Sequence, residues 1–236
     1  MDEQMKQSLL GIVALLATCA LLVAGLSYWL GGEDSSSQMS ITNEVSFDEP
    51  LVLNSLDQSD AKITNRMNPI AVLETNQGTI EIELYDDAMP ITAGNFMKLI
   101  NEGFYDGIKF HRVIDGFMIQ GGDPITKTDE VGRYGTGGPG YSIPDEHIAG
   151  AKLSNVRGSL SMANSGPNSG GSQFFINLRD NTNLDFDKPP AQSKHPVFGQ
   201  VVAGMDIVDA IAVVATGPTD LPLEAVEIQK ATIKES

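Results

Sequence analysis

Phe110-His111-Arg112-Val113-Ile114-Asp115-Gly116-Phe117-Met118-Ile119-Gln120-Gly121-Gly122-Asp123 sets two short apolar runs, Phe110 to Ile114 and Phe117 to Gln120, on either side of a glycine-bearing turn. Apolar runs this short, bounded by turn residues, read as strands; a helix needs about ten residues or more. Ser161-Met162-Ala163-Asn164-Ser165-Gly166-Pro167-Asn168-Ser169-Gly170-Gly171-Ser172-Gln173-Phe174-Phe175-Ile176 repeats the pattern. There Leu160 to Ala163 and Phe174 to Ile176 flank a polar, glycine-rich middle. Neighbours in a strand face opposite ways, so one of Phe174 and Phe175 is expected in the core and the other on the far face.

Outward from these stretches the pattern stays β-rich. Thr79 to Leu84 alternates, with Ile80, Ile82 and Leu84 on one face and Thr79, Glu81 and Glu83 on the other. That is a half-buried strand, and Ile70 to Leu73 would pair with it across the Asn76-Gln77-Gly78 turn. Val197 to Val202 is a further run, and Val226 and Ile228 begin a last alternating one. Two helices are expected. Pro90 opens the first, where its missing N–H goes unused, with Ala93, Phe96, Met97 and Ile100 inward and Gly103 near its end. Gly204 to Val214 holds the second, with Met205, Val208 and Ile211 or Ala212 inward. Many short strands with few helices favour a closed barrel or a sandwich over a parallel sheet.

Composition bounds the function. The 236 residues carry 31 acids and 15 bases, net -16, which argues against a nucleic-acid binder because phosphate contacts need excess Lys and Arg. One cysteine excludes an intrachain disulfide framework, and three histidines leave little for a metal site.

The first 67 residues differ from the rest. Ser8 to Leu30 runs 23 residues without a charge. As a helix at 1.5 Å per residue it reaches about 34 Å, enough for a hydrocarbon core of roughly 30 Å. Tyr28 and Trp29 sit at its end, where amphipathic rings favour the headgroup layer. We read an uncleaved anchor. The alternatives are a cleaved signal peptide, whose apolar region is usually about 7–15 residues, and a lipoprotein signal loosely matched by Leu16-Ala17-Thr18-Cys19. Lys6 and the amino terminus are the only positive charges nearby, so the positive-inside rule predicts a cytoplasmic N-terminus and a body outside the cytoplasm. Gly31 to Met67 is polar and acidic and reads as a flexible tether. The expected parts are a tail at 1–7, an anchor at 8–30, a linker at 31–67 and a β-rich body at 68–236, itself net -10.

Three motifs carry no chemistry. Gly135-Thr136-Gly137-Gly138-Pro139-Gly140 satisfies G-x-G-x-x-G, but Pro139 and Pro144 follow and no helix opens, so it reads as a surface loop. His147 beside Asp145 and Glu146 reads as a solvated turn. No G-x-S-x-G elbow supports a Ser-His-Asp triad.

The two quoted stretches resemble the signature segments of the cyclophilin-type peptidyl-prolyl isomerases. Val197-Phe198-Gly199-Gln200-Val201, Gly204-Met205 and the early Asn95-Phe96 helix are similar to that family too, and the likeness runs in order over Ile70 to Ile233, 164 residues. It implies a mostly-β fold, a closed eight-stranded antiparallel barrel capped by two helices. It also implies X–Pro isomerisation of polypeptides, unfolded or newly exported, with no cofactor and no metal.

That chemistry makes and breaks no bond. Rotation about an amide faces a barrier of about 18–20 kcal/mol because resonance holds the C–N bond planar. X–Pro bonds populate both isomers, but exchange takes tens to hundreds of seconds. A catalyst needs an apolar slot for the ring and a donor for the nitrogen lone pair freed as the amide twists. The resemblance assigns catalysis to Arg112, Gln120 and Phe117, and substrate binding to Met118, Ala163, Asn164, Gln173, Phe175, Leu184 and His195. Arg112 is a fixed cationic fork suited to donating. His111 is expected to be structural, since no proton moves. One departure stands out: a rim position that is commonly aromatic is Asn183 here, which predicts weak cyclosporin binding. Asp187 to Lys194 looks like a short insertion before His195.

Overall fold

The computed structural model describes residues 67–147, 153–188 and 194–234. The expected anchor, the linker as far as residue 66 and most of the 187–194 insertion lie outside them.

Nine strands form: β1 (Ile70–Thr75), β2 (Gly78–Leu84), β3 (Ile108–Lys109), β4 (Arg112–Ile114), β5 (Met118–Gly121), β6 (Ser159–Met162), β7 (Phe174–Asn177), β8 (Val197–Ala203) and β9 (Glu227–Lys234). Among the described residues two α-helices accompany them, α1 (Pro90–Asn101) and α2 (Met205–Ala212). The strands pair in the order β3-β9-β1-β2-β8-β6-β7-β5-β4. Every pairing is antiparallel. The result is a mostly-β curled sheet with two helices.

It is not the eight-stranded closed ladder expected, but nine strands with β3 and β4 at its two ends. The difference lies at Phe110 and His111. Phe110 N–H donates to the Val226 carbonyl at 2.9 Å, on the β9 side, whereas His111 N–H donates to the Gln120 carbonyl at 3.0 Å, on the β5 side. Two consecutive amides bond to different neighbours, so of the run read as Phe110 to Ile114 only Arg112–Ile114 forms a strand, β4, and the separate strand β3 precedes it.

Alternation builds the core. Leu73, Ile80, Ile82, Leu84, Ile119, Leu160, Phe174 and Ile176 are fully buried in one cluster under α1 and α2. In α1 the inward set is Thr92, Ala93, Asn95, Phe96, Leu99 and Ile100; Met97, expected inward, is only partly buried. No side chain at the helix start caps α1. The Glu146 carboxylate does so from a distant loop, accepting from Ile91 N–H at 3.1 Å and Thr92 N–H at 2.8 Å. It satisfies amides that have no partner within the helix and places negative charge at the positive end of the dipole. Gly204 enters α2 with φ +81°, close against the Thr79 carbonyl, a position where a side chain would collide.

Candidate active site

The register of four strands assembles the site. Arg112 lies opposite Gln120, Gln120 opposite Phe175, and Phe175 opposite Ser161. This is one row across β4, β5, β7 and β6. The next row on that face pairs Ile114 with Met118 and Met118 with Asn177. The intervening row, Val113-Ile119-Ile176-Leu160, faces the other way into the main core. Both faces of these strands are therefore occupied. Met118, Phe175 and Leu184 are buried in a second apolar cluster, with Ile114, Phe117 and Ala163 packed on it. Phe174 takes the core and Phe175 the far face, as alternation required.

Polar groups border this cluster. Arg112 is about half exposed, its side chain at 45%. Gln120 Nε2 donates to Gln173 Oε1 at 3.0 Å, and Gln173 Nε2 donates to the carbonyls of Gly135 at 2.9 Å and Gly137 at 2.8 Å. Ala163 N–H donates to the Gln173 carbonyl at 3.0 Å, and Asn164 Nδ2 donates to the Lys194 carbonyl at 2.6 Å. The His195 ring meets Phe175 edge-on, centroids 5.3 Å apart. Its Nδ1 is 3.0 Å from the Met162 carbonyl; a carbonyl only accepts, so Nδ1 carries the proton there. Beside this cluster, sharing Ala163 with it, opens a cavity of about 510 Å³, lined by Gln120, Ala163, Asn164, Gln173 and the Gly135–Gly138 loop among others. Arg112 and the Met118–Phe175–Leu184 cluster are not in its lining. The site thus joins a packed apolar cluster to a polar cavity, with Gln120, Ala163, Asn164 and Gln173 along the cavity. Asn183 is exposed on the turn of 3-10 helix Thr182–Leu184, next to buried Leu184.

Several residues that hold the site together were not singled out in the sequence. Asp123 is fully buried, and its carboxylate accepts from the N–H groups of Ile125 at 2.8 Å, Gly135 at 2.5 Å and Gly137 at 3.2 Å. It fixes the loop that holds Gln173: the glycine-rich segment is the surface loop expected, and it lines the cavity. Asp185 accepts from Asn155 N–H at 2.8 Å and Asn155 Nδ2 at 2.9 Å, securing the turn that carries Leu184. Asn181 Nδ2 donates to the Phe117 carbonyl at 2.8 Å.

His111 is buried beside Arg112, with the Lys109 backbone and the Gln173 side chain close to its ring. Burial lowers the pKa of His111, His147 and His195, with Asp123 opposing for His111 and the Met162 carbonyl for His195. The unfolded chain, near the ordinary value of about 6.5, then takes up protons first as pH falls. The stability these neutral rings contribute is complete above about pH 6.5 and is lost as pH falls through the lower folded values. Tm is expected to drop on acidification from about pH 7.5 to 5, and less so in His111→Gln. A His111→Gln variant with the same slope would remove His111 from the account.

Comparison with known proteins settles the family. The model for "Cyclophilin type peptidyl-prolyl cis-trans isomerase/CLD" matches residues 70–233. The chain belongs to the cyclophilins. This cyclophilin is 44% identical over 164 residues to "Peptidyl-prolyl cis-trans isomerase-like 1" of Gibberella zeae, covering 70% of this chain and 94% of that one. It is 42% identical over 161 residues to "Peptidyl-prolyl cis-trans isomerase CYP18-1" of Arabidopsis thaliana, covering 68% and 93%. Among solved structures, a Cryptosporidium parvum cyclophilin-type isomerase superposes with a TM-score of 0.61 at 28% identity, over 72% of this chain and 99% of that one. This cyclophilin is accordingly a peptidyl-prolyl cis-trans isomerase.

Proposed function

We propose that the isomerase acts on unfolded or newly exported polypeptides while tethered to a membrane, with Arg112 as the group that speeds rotation. The observation that carries the catalytic part is the second apolar cluster, on the same sheet face as Arg112. Met118, Phe175 and Leu184 offer a desolvated slot for a pyrrolidine ring, and Phe117 borders it. Arg112 donates to the prolyl nitrogen once the amide twists, a contact absent from the planar ground state. Gln120, Asn164 and His195 hold the flanking chain. An acceleration of about 10⁵-fold corresponds to about 7 kcal/mol of differential stabilisation, within reach of one charged hydrogen bond plus positioning. The full-length chain, solubilised in detergent, is expected to accelerate isomerisation of short X–Pro peptides. Binding of those peptides without acceleration would make the chain a binding module.

The tether rests on the 23 uncharged residues from Ser8 to Leu30 and on the single nearby base, Lys6. Among the described residues no helix is long and apolar enough to cross a membrane. The chain is expected to stay in the membrane fraction through high-salt and alkaline washes. Protease added outside cells with exposed inner membranes should cut between residues 31 and 67 and release the body. A body protected until lysis would reverse the orientation.

Cyclosporin is expected to bind weakly. An indole at the rim offers a large apolar face and an N–H donor, whereas Asn183 offers a small amide whose desolvation is unfavourable unless paired. One such aromatic contact is worth about 1–3 kcal/mol, roughly 5- to 150-fold in affinity. Asn183→Trp should tighten cyclosporin by that margin and leave turnover on short peptides nearly unchanged. The body, residues 68–236, contains no tryptophan, so the new indole is the only one near the ligand. Equal affinities for the two forms would take Asn183 off the rim.

A further inference from the structure

Arg112 has one charged partner, and it comes from far along the chain. Asp220, in the loop between α2 and β9, places Oδ2 3.5 Å from Arg112 Nε, and both side chains are about half exposed. Its backbone is unusual. Asp220 has φ +62°, and Asn168 is the only other non-glycine residue at positive φ among the described residues. An L-residue with a Cβ rarely adopts this region, and such outliers persist where the surroundings over-determine them, often at functional sites.

Here the surroundings are plain. Val113 N–H donates to the Asp220 carbonyl at 2.8 Å, so the loop is bonded to β4 at the residue next to Arg112. Asp220 N–H donates to the Gly217 carbonyl at 3.1 Å, Gly217 N–H donates to the Leu221 carbonyl at 2.8 Å, and Thr216 bridges Pro222. The turn is closed on itself and fastened to the catalytic strand.

The point of contact matters as much as the contact. The carboxylate sits against Nε, on the inner side of the guanidinium. The two terminal nitrogens make no hydrogen bond among the described residues. A carboxylate across the outer fork would occupy the donors that the twisted amide needs; one at Nε restrains the group and leaves that fork free.

We infer that Asp220 is a positioning residue for Arg112: the strained loop holds its carboxylate against Nε so that the terminal N–H groups face the slot. Less of the long side chain's rotamer freedom is then lost when the transition state forms. The inference rests on Arg112 being the donor and is tested so that the two can fail separately.

The test uses the full-length chain and an NMR exchange assay that separates kcat from KM. Asp220→Asn and Asp220→Gly both tolerate left-handed backbone, so the turn survives in each while the charge is lost. Both are expected to lower kcat about 3- to 5-fold, the upper end for a half-exposed ion pair, with KM changed by less than about twofold. In an Arg112→Ala background Asp220→Asn should have no further effect, because its action runs through Arg112. Unchanged or raised kcat in Asp220→Asn and Asp220→Gly overturns the inference, since the turn conformation alone would then suffice. An equal loss in the Arg112→Ala background overturns it too, by showing that Asp220 acts elsewhere. Near-normal turnover in Arg112→Ala itself would remove Arg112 as donor and this inference with it. Full loss in Arg112→Ala with intact Asp220 variants would remove only the positioning role.

Discussion

Arg112→Ala is expected to lower turnover on X–Pro peptides by about 10²- to 10³-fold, the scale seen when one preorganised donor is removed from a reacting centre. The physical reason is differential binding. In the planar amide the prolyl nitrogen's lone pair is delocalised and accepts poorly; in the twisted amide it is localised and meets the guanidinium. Removing Arg112 therefore raises the barrier more than it weakens substrate binding. Peptide affinity should fall far less, because Met118, Phe175 and Leu184 still form the slot. Stability should hardly change, since Arg112 is half exposed and its ion pair with Asp220 is worth little to the fold. Arg112→Lys should recover only part of the rate, because a point ammonium does not reproduce the planar fork. Exchange spectroscopy on a proline-containing peptide gives kcat, and a titration gives affinity. Near-normal turnover in the alanine variant would sink the proposed role.

The second large effect is structural. Phe96→Ala is expected to destabilise the body by about 3–5 kcal/mol, the usual range for truncating a buried phenylalanine. Phe96 is fully buried at the centre of an aromatic group. Its ring lies 4.9 Å from Tyr105, 5.3 Å from Phe174 and 5.3 Å from Phe198, centroid to centroid. The lost phenyl ring and the cavity are joined by three tilted or edge-on ring contacts, each worth about 0.5–1.5 kcal/mol beyond burial. For a body of this size that corresponds to a fall in Tm of about 6–20 °C. Ile91→Ala, on the exposed side of the same helix, should move stability by no more than about 0.5 kcal/mol. Equal shifts in the two variants would mean that the ring cluster contributes nothing particular. Phe174 lost from its packing also loosens Phe175 next to it on β7, so some loss of substrate affinity should accompany the melting shift.

What could be read before the fold was known follows physical range. Alternation is local, so the strand at Thr79 to Leu84 and the division of labour between Phe174 and Phe175 were both visible in the chain. The helix start at Pro90 was visible, but its cap was not, because Glu146 lies 55 residues from Ile91. The split at Phe110 and His111 was hidden for the same reason: which neighbour each amide bonds to is decided by β9 and β5. Of the candidate site, Arg112, Gln120, Met118 and Phe175 were picked out through motif resemblance, and strand register places them on one face. Leu184 and His195 come to that face through the turn held by Asp185 and Asn155, and the contact between His195 and Phe175 is not encoded by spacing. Asp123 and Asp220 could not be found. A carboxylate's worth there depends on backbone donors, or on a guanidinium, that only folding brings near.

The place of β9 in the sheet has a consequence for how the chain is made. Glu227–Lys234 lies between β3 and β1, and Ile70 pairs with Lys234. The first strand of the body therefore waits on one of its sides for residues synthesised more than 150 positions later. Until they emerge, β1 offers an open edge to any extended segment nearby. Contacts of such long sequence separation form slowly, because loop closure must come before any gain from pairing. A growing chain halted before Glu227 then lacks the eight-residue strand that joins β3 to β1, so β1 keeps an unpaired edge and β3 has no strand beside it until Lys234 is made. Deleting β9 should cost the body far more stability than trimming β3 or β4, the two- and three-residue strands at the ends of the sheet.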